Sequence, residues 1–323
     1  MSWVLGVDSG GSGLRIALRA TDDPARVLLA DPGEPLLTGP SGIDAGQLLR
    51  QLLPAAKELL ARAGARGPVA AAVGAAGMAT LGDGLRAELP AALERSLGVR
   101  RLALAADAVT AYAGALGQRP GVVVAAGTGM IALGTDLAAW HRADGWGHLL
   151  GDCGGGAWIG RAGLEAALRE YDGRRGGSPA LLTAAEDFFG PAPELPGRLY
   201  PRADRPAVLA SFAPEVARLA PVDPVARSIL SAAAERIAES AEAVCPRTGV
   251  CEVALTGGLF KLGEPLLAPL RAELADRLPR ARTVPAAGDP LAGALNLAAA
   301  LATDTLRLPP DERLLYITTQ QDR

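Results

Sequence analysis

The stretch Gly6–Leu18, GVDSGGSGLRIAL, decides how the first part of the chain folds. An apolar run ends in an acid and a glycine cluster, and such a turn can hold a phosphate because its N–H groups can converge on the phosphate oxygens. After Gly13 the large apolar residues occupy every second position, with arginines on the opposite face. This alternation predicts an antiparallel strand after the glycines. It excludes a dinucleotide-binding fold, which needs a helix there.

The same pattern returns in Val122–Gly134, VVVAAGTGMIALG, which again predicts a strand, a turn of small residues and a strand. A third apolar strand is expected after each copy, near Ala25–Ala30 and near Leu137–His141. Two copies of one supersecondary unit, more than a hundred residues apart, indicate an internal duplication.

The rest of the chain alternates helical with strand-like periodicity, which predicts an α/β fold. Helices are expected at Ala45–Ala63, Leu85–Ser96, Ala108–Leu116, Ala157–Tyr171, Leu181–Phe189, Ala207–Leu219, Pro224–Val244, Pro265–Arg277 and Pro290–Leu301. Strands are expected at Val69–Val73, Arg101–Ala106, Val250–Leu255 and Arg282–Pro285. The segments Gly173–Pro179 and Gly190–Pro206, rich in proline and glycine, are interpreted as surface loops.

These elements predict two α/β lobes with a cleft between them, each a mixed sheet with flanking helices. The boundary is expected near Gly117–Gly121, so that residues 1–118 form the first lobe and residues 119–323 a larger second lobe with helical insertions. The C-terminal tail could return to the first lobe.

The composition limits the possible partners of the chain. A formal net charge of −3 provides no basic field for nucleic acid or anionic lipid, so neither is an expected partner. Only Lys57 and Lys261 are lysines, which excludes kinase designs that place a phosphate-gripping lysine in a glycine loop. No membrane span and no targeting segment are recognisable, so a cytoplasmic protein is expected. The three cysteines lack C-x-x-C spacing, and neither a disulfide framework nor a zinc site is expected.

Three turns of small residues each follow an apolar strand. They are Asp8-Ser9-Gly10-Gly11-Ser12, Ala126-Gly127-Thr128-Gly129 and Thr256-Gly257-Gly258. One such turn alone is more simply explained as a tight turn that joins two secondary-structure elements. Three of them in duplicated lobes indicate a nucleotide site.

Two carboxylates stand at the ends of predicted strands. Asp107 closes the run RLALAAD, where ligands of open α/β sheets bind, and the alternative is that it caps the helix beginning at Ala108. Asp8 ends the first strand and could orient Mg²⁺ through water. Its alternative is a turn residue that bonds its own backbone.

The segment Gly145–Gly160, GWGHLLGDCGGGAWIG, is the most unusual one. Trp146 lies between glycines, which supply no packing partners, so a core position does not explain it. A tryptophan near the carboxylate of Asp152 can hold a sugar by an apolar wall and hydroxyl acceptors. His148 is interpreted as a structural hydrogen-bonding residue and Cys153 as a small buried apolar one.

These motifs, together with AADAVTAYAGA, ALTGGL and AAGDPLAGAL, occur in the order found in N-acetylglucosamine kinases of the eukaryotic type. The chain resembles these kinases from about Val4 to Ala300, least over Thr183–Ala213. They belong to the BadF/BadG/BcrA/BcrD ATPase group of the sugar kinase–actin–chaperone superfamily. The resemblance implies RNase H-like lobes, a homodimer, and transfer of phosphate from ATP, with Mg²⁺, to the 6-hydroxyl of N-acetylglucosamine.

The resemblance also implies roles for individual residues. The catalytic, sugar-binding carboxylate would be Asp107, and Thr128 would lie near both ATP and the sugar. The other ATP-binding residues would be Gly10, Gly11, Ser12, Gly127, Gly129, Gly257 and Gly258. The other sugar-binding residues would be Ser41, Gly42, Gly145, Trp146, Gly147 and Asp152.

Two positions depart from the family pattern. Cys153 stands where the family commonly has glutamate, and Gly42 beside Ser41 stands where it usually has asparagine, so the identity of the sugar is open. A non-catalytic sugar or nucleotide sensor and an ATPase that activates a radical dehydratase are the alternatives. The presence of both Asp8 and Asp107 favours a catalytic kinase over a non-catalytic sensor. The cysteine spacing gives no pair for the iron–sulfur cluster of an activator.

Overall fold

A computed structural model describes residues 2–10, 13–32, 38–39, 42–247, 249 and 251–319. Contacts within the chain define two compact units. Unit 1 comprises Met1–Pro120, Thr135–Trp140 and Pro285–Arg323, and unit 2 comprises Gly121–Gly134 and His141–Val284. Residues 285–323 thus belong to unit 1, whereas the division expected from the sequence assigned them to the second lobe with only a possible return of the tail.

Helices and strands alternate along most of the described chain. The strands are β1 (Trp3–Gly10), β2 (Gly13–Ala20), β3 (Val27–Ala30), β4 (Thr38–Gly39), β5 (Gly42–Ile43), β6 (Ala70–Ala75), β7 (Arg101–Ala106), β8 (Gly121–Ala126), β9 (Met130–Thr135), β10 (Trp140–Asp144), β11 (Cys251–Thr256), β12 (Ala281–Pro285) and β13 (Leu315–Thr319). The α-helices are α1 (Ala45–Ala63), α2 (Met78–Leu81), α3 (Asp83–Leu97), α4 (Asp107–Ala115), α5 (Gly156–Tyr171), α6 (Pro179–Phe189), α7 (Leu195–Leu199), α8 (Arg205–Ala210), α9 (Ala213–Leu219), α10 (Pro224–Val244), α11 (Glu264–Arg277) and α12 (Pro290–Ala302). Short 3-10 helices span Ala192–Glu194 and Gly258–Leu262.

The strand expected after the first glycine cluster is confirmed. β1 and β2 pair antiparallel, with Asp8 opposite Arg15 and Gly10 opposite Gly13. In β2 the alternating large residues Leu14, Ile16 and Leu18 are completely buried.

Five strands of each main sheet follow the same order, which supports the duplication, and the first sheet has β13 as a sixth strand. One sheet is ordered β3-β2-β1-β6-β7-β13 and the other β10-β9-β8-β11-β12. Each sheet begins with three consecutive strands of one repeat, β1–β3 or β8–β10. The next strand of the sheet then pairs in parallel with the first strand of that repeat: β6 pairs with β1, and β11 pairs with β8. The predicted α/β class, with two sheets flanked by helices, is confirmed.

Helix α12 packs closely against one face of the first sheet. A Cβ atom at Gly6 would lie 2.8 Å from the side chain of Leu295 on α12, and one at Gly293 would overlap the carbonyl of Thr110 on α4. These contacts bring α12 against both the sheet and α4, so a helix late in the chain completes the core of unit 1. In unit 2, helices α5, α6, α9, α10 and α11 cover β8 and β11 around the buried Phe212.

Most predicted elements are observed within a few residues, and several differ. The helix predicted at Ala207–Leu219 is broken, because Phe212 turns into the core and Pro214 starts a new helix. β10 begins later than predicted because Asp136 accepts the N–H groups of Ala138 and Ala139 and forms a turn there. The predicted loop Gly190–Pro206 contains short helices. The sequence did not predict α2, β4, β5, β13 or the 3-10 helix Gly258–Leu262.

Among the described residues, no helix combines the length and the apolar character that crossing a bilayer requires.

Candidate functional site

In unit 1, Asp8 and Asp107 lie at the same edge of the first sheet. β6 separates their strands, and the parallel register aligns Asp8 with Gly74 and Gly74 with Ala105. Asp107 follows the last residue of β7 directly. The carboxyl ends of parallel strands are where ligands bind in open α/β sheets, so this edge is a candidate site.

Asp8 is held by a neighbour that sequence reasoning missed. The guanidinium of Arg15 donates to Asp8 Oδ2 from Nη2 at 2.5 Å and from Nε at 3.2 Å. From Nη1 it also donates to Asp289 Oδ2, at 2.6 Å. Burial raises the pKa of Asp8 above its ordinary value, and the hydrogen bond and charge of Arg15 oppose this rise.

Asp289 joins this group to helix α12. Its Oδ1 accepts the N–H of Ala292 at 2.9 Å, which makes Asp289 the N-cap of α12. Burial raises the pKa of Asp289, but the hydrogen bonds from Ala292 and Arg15 outweigh burial and the net shift is downward. Arg15 therefore connects β1, β2 and the start of α12 through two carboxylates.

Asp107 is exposed at the start of α4. The alternative role for Asp107 was to cap a helix that begins at Ala108. In the structure the helix begins at Asp107 itself, and Ala106 is its N-cap. Asp107 Oδ1 accepts the N–H of Ala108 at 2.9 Å. Asp107 thus places a carboxylate in contact with solvent at a helix N-terminus.

The donor chemistry of unit 1 fits Mg²⁺. The described residues contain no group of three or more His, Cys, Asp or Glu side chains that could hold a metal. Mg²⁺ does not require one, because it commonly binds to one or two carboxylates, retains several waters and takes further oxygens from substrate phosphates. Asp8 and its neighbour Asp289 could supply such carboxylates.

In unit 2, the turn Gly127–Gly129 is tied to the start of α5. The carbonyls of Gly127 and Thr128 accept the N–H groups of Gly156 and Ala157 at 2.9 and 2.8 Å. The N–H of Gly127 bonds to the carbonyl of Gly129 inside the turn. The N–H groups of Thr128 and Gly129 are therefore the candidate donors for a phosphate.

The second glycine turn of unit 2 lies against the first. Gly257, which follows β11, has a φ of +108°, and a Cβ atom there would overlap the carbonyl of Ala126. Only glycine allows both this backbone conformation and this close approach. The predicted nucleotide residues Gly127, Gly257 and Gly258 are thus brought together.

Asp144 organises the segment that contains Trp146. Its Oδ1 accepts the N–H of Asp152 at 2.6 Å, and its Oδ2 accepts the N–H of Cys153 at 2.8 Å. Asp152 Oδ1 in turn accepts the N–H of Gly147 at 3.0 Å. Asp144 and Asp152 have φ values of 59° and 54°, a conformation that aspartate tolerates better than most residues. Two carboxylates thus close the loop from both ends.

Asp152 also lies beside the turn Gly127–Gly129. A Cβ atom at Gly129 would overlap its carboxylate. Burial raises the pKa of Asp152, the N–H of Gly147 lowers it, and the nearby Asp144 raises it further. The net effect is that the pKa of Asp152 is raised. The turn and the loop therefore meet at Gly129 and Asp152.

Trp146 is 64% exposed, in agreement with the prediction that it is not a core residue. The guanidinium carbon of Arg142 lies 4.1 Å from the centre of its indole ring, a cation–π contact. Arg142 covers one face of the ring, so the other face is the candidate surface for a ligand.

Three predicted site residues, Gly11, Ser12 and Ser41, lie outside the described residues, and Gly42 begins β5. Arg15, Asp144 and Asp289 were missed. The signal for Arg15 was the pairing of β1 with β2, which places it opposite Asp8. Asp289 stands before a proline that starts a helix, a capping signal. No sequence pattern pointed to Asp144.

Comparison with known proteins is consistent with this geometry. Residues 5–298 match the model of the BadF/BadG/BcrA/BcrD ATPase family. A Clostridium acetobutylicum protein named N-acetylmuramic acid/N-acetylglucosamine kinase is 32% identical over 196 residues, 58% of this chain. The match spans 60% of the length of that curated relative.

Solved structures show the same fold. A Chromobacterium violaceum protein, provisionally named N-acetylglucosamine kinase, is 30% identical, with a TM-score of 0.70 over 94% of this chain and 99% of that one. A ROK-family glucokinase from Streptomyces griseus, solved with glucose and AMPPNP, has 19% identity and a TM-score of 0.55, covering 94% and 100% of the two chains. At this identity the likeness concerns the fold alone. These relatives are bacterial, so the eukaryotic branch expected from the sequence stays a prediction.

Proposed function

The chain belongs to the BadF/BadG/BcrA/BcrD ATPase family, and we propose that it is an ATP-dependent amino-sugar kinase. The reaction transfers the γ-phosphoryl group of ATP to the 6-hydroxyl of N-acetylglucosamine or a close relative, and yields the sugar 6-phosphate and ADP. The names of the relatives at 32% and 30% identity support an N-acetylated hexosamine as substrate.

The observation that carries this proposal is the contact between the turn Gly127–Gly129 and the carboxylate of Asp152. A glycine turn that offers N–H groups suits a phosphate, and a loop with Trp146 and a carboxylate suits a polyhydroxylated ring. A single unit therefore presents features for both reactants next to each other, as phosphoryl transfer requires.

Each residue has a role in the proposed mechanism. Thr128 and Gly129 donate N–H groups to the phosphates, and Gly257 and Gly258 bind the adenosine. Trp146 and Asp152 bind the sugar. Asp107 orients the hydroxyl and accepts its proton late in the transfer, since this chemistry depends on positioning and charge neutralisation.

Asp8 is the proposed carboxylate for Mg²⁺, held in place by Arg15. When bound, Mg²⁺ would neutralise charge on the phosphates. The homodimer and the cytoplasmic location expected from the sequence stay predictions.

Substitution of Gly127 by valine should weaken ATP binding about tenfold or more, because the added side chain would obstruct the approach of a phosphate to the N–H groups of Thr128 and Gly129. A hydrogen bond to a charged group contributes about 1.5–3 kcal/mol, so losing one of them is enough for this effect. A Cβ atom at Gly127 meets no atom within 4 Å, so the variant should fold. Calorimetric titration with ATP and a thermal melt of the same preparation test this. Gly197→Val is the matched control, because it also enters open space. Unchanged ATP affinity in a folded Gly127→Val protein would remove the turn from the nucleotide site.

Substitution of Trp146 by alanine should raise the sugar KM about tenfold or more and leave the ATP KM nearly unchanged. Burial of an apolar face of this size contributes about 1.5–3 kcal/mol. Tyr200→Ala, which removes another exposed aromatic side chain, is the control. Equal effects on both KM values, or none, would indicate that Trp146 is only structural.

A coupled assay of ADP release across a panel of sugars tests the function itself. The panel contains N-acetylglucosamine, N-acetylmannosamine, N-acetylmuramic acid, glucosamine and glucose. Sugar-dependent ADP release, strongest with one N-acetylated hexosamine, is the expected result. ATP and sugar binding without ADP release for any sugar would contradict the kinase proposal and favour a sensor.

A further inference from the structure

Two thiols lie in contact where helix α10 meets strand β11. Cys245 is the C-terminal cap of α10, and Cys251 is the first residue of β11. Both are free cysteines, and their Sγ atoms are 2.6 Å apart. A disulfide bond is about 2.05 Å long, so the two sulfurs need to approach by only about half an ångström to bond.

The two thiols differ in their access to solvent. Cys251 is 4% exposed, whereas Cys245 is half-buried. The S–H of Cys245 is directed at the sulfur of Cys251, and the S–H of Cys251 at the carbonyl of Glu252. Burial and the neighbouring Cys245 raise the pKa of Cys251. Cys245 is therefore the thiol that a reagent in solution reaches first.

The backbone on both sides holds the two sulfurs together. Cys251 leads into a strand that pairs with β8 from Glu252 opposite Gly121 to Thr256 opposite Ala125. On the other side, the carbonyl of Val244 packs so closely on Gly134 that a Cβ atom there would overlap it. Only five residues separate the cysteines. If Cys245 forms a mixed disulfide, its sulfur would therefore react with the neighbouring Cys251 before it reacts with a thiol from solution.

We propose that Cys245 and Cys251 form an intramolecular disulfide when the protein meets a low-molecular-weight disulfide such as oxidised glutathione. The Cys245 thiolate attacks one sulfur of the reagent, which forms a mixed disulfide and releases one glutathione thiol. The Cys251 sulfur, on losing its proton, attacks the Cys245 sulfur and releases the second glutathione thiol. Two protein thiols are oxidised to one disulfide, and one glutathione disulfide is reduced to two thiols.

The third cysteine provides an internal control. Cys153 is held in the loop closed by Asp144, and burial and the charge of Asp144 raise its pKa. The thiol–thiol contact found among the described residues joins Cys245 to Cys251 and does not include Cys153. Any product at Cys153 therefore stops at a mixed disulfide, which differs in mass from the proposed bond.

The test exposes the purified full-length protein to oxidised glutathione, then blocks the remaining thiols after denaturation and measures mass. The expected product has lost two hydrogen atoms, carries one blocked thiol instead of three, and yields a linked peptide containing Cys245 and Cys251. Its Tm should rise by a few degrees and fall again after reduction, because a short closed loop restricts the unfolded chain. Three blocked thiols, or glutathione that stays on Cys245, would overturn the proposal.

Two variants in a Cys153→Ser background make the outcome specific. Cys251→Ser should accumulate the mixed disulfide at Cys245 and show no linked peptide. Cys245→Ser should react many times more slowly, because Cys251 is buried. Equal reaction rates for the two variants would contradict the assignment of Cys245 as the first thiol to react. None of these measurements depends on kinase activity.

Discussion

Asp107→Asn is expected to lower kcat by about 10²- to 10⁴-fold while ATP binding persists, because the substitution removes the basicity of the proposed proton acceptor. Asparagine keeps the size of the side chain and an oxygen that can accept the N–H of Ala108. A purely structural role at the start of α4 therefore predicts nearly native activity. Steady-state kinetics and a thermal melt of one preparation, with calorimetric ATP titration, separate the two roles.

Asp83→Asn is the matched control for this experiment. Asp83 is also the exposed first residue of a helix, α3, where a carboxylate interacts with the helix dipole. Both variants should lose a similar, small amount of stability, about 0.3–1 kcal/mol. Only Asp107→Asn should lose activity. A near-native kcat for Asp107→Asn would exclude the catalytic role.

Asp144→Asn is expected to lower kcat/KM for the sugar by about 10- to 100-fold, since a hydrogen bond to a charged group contributes about 1.5–3 kcal/mol. The two carboxylate oxygens accept separate N–H groups, from Asp152 and Cys153. An amide has only one acceptor oxygen, so one N–H would face an NH₂ group. The loop should loosen, and amide hydrogen exchange should accelerate over residues 145–153.

Asp136→Asn is the control for Asp144. Asp136 also accepts two backbone N–H groups, and both of them bond to its Oδ1, an oxygen that an amide retains. This variant should keep native kinetics and native exchange. If Asp144→Asn behaves like Asp136→Asn in both measurements, Asp144 does not position the loop that contains Trp146.

Local rules explain why many elements were predictable. α10 spans Pro224–Val244 as expected, since proline suits the first turn and Asp223 caps the helix by accepting the N–H of Ala226 at 2.7 Å. The strand after the first glycines follows from alternation over a few residues. Such signals act between positions close in the chain, so the sequence alone contains them.

The break within Ala207–Leu219 shows the limit of local rules. The helical period continues across Phe212, but burial of this side chain in the core of unit 2 sets the direction of the backbone. Periodicity cannot report which core a side chain will enter, because that depends on elements elsewhere in the chain. The strand β13 escaped prediction for a related reason: it exists as a partner of β7, more than two hundred residues away.

The residues of the candidate site also fall into those that the sequence identified and those that only the structure revealed. The sequence by itself determined the glycine turns, Asp8, Asp107 and the Trp146 segment, because each carries a local signature of residue type and spacing. Only the tertiary structure decided that Arg15 joins Asp8 to Asp289, that Asp144 closes the loop containing Trp146, and that Asp152 lies against Gly129. Hydrogen bonds and close packing act over a few ångströms of space whatever the separation along the chain, and 274 positions separate Arg15 from Asp289.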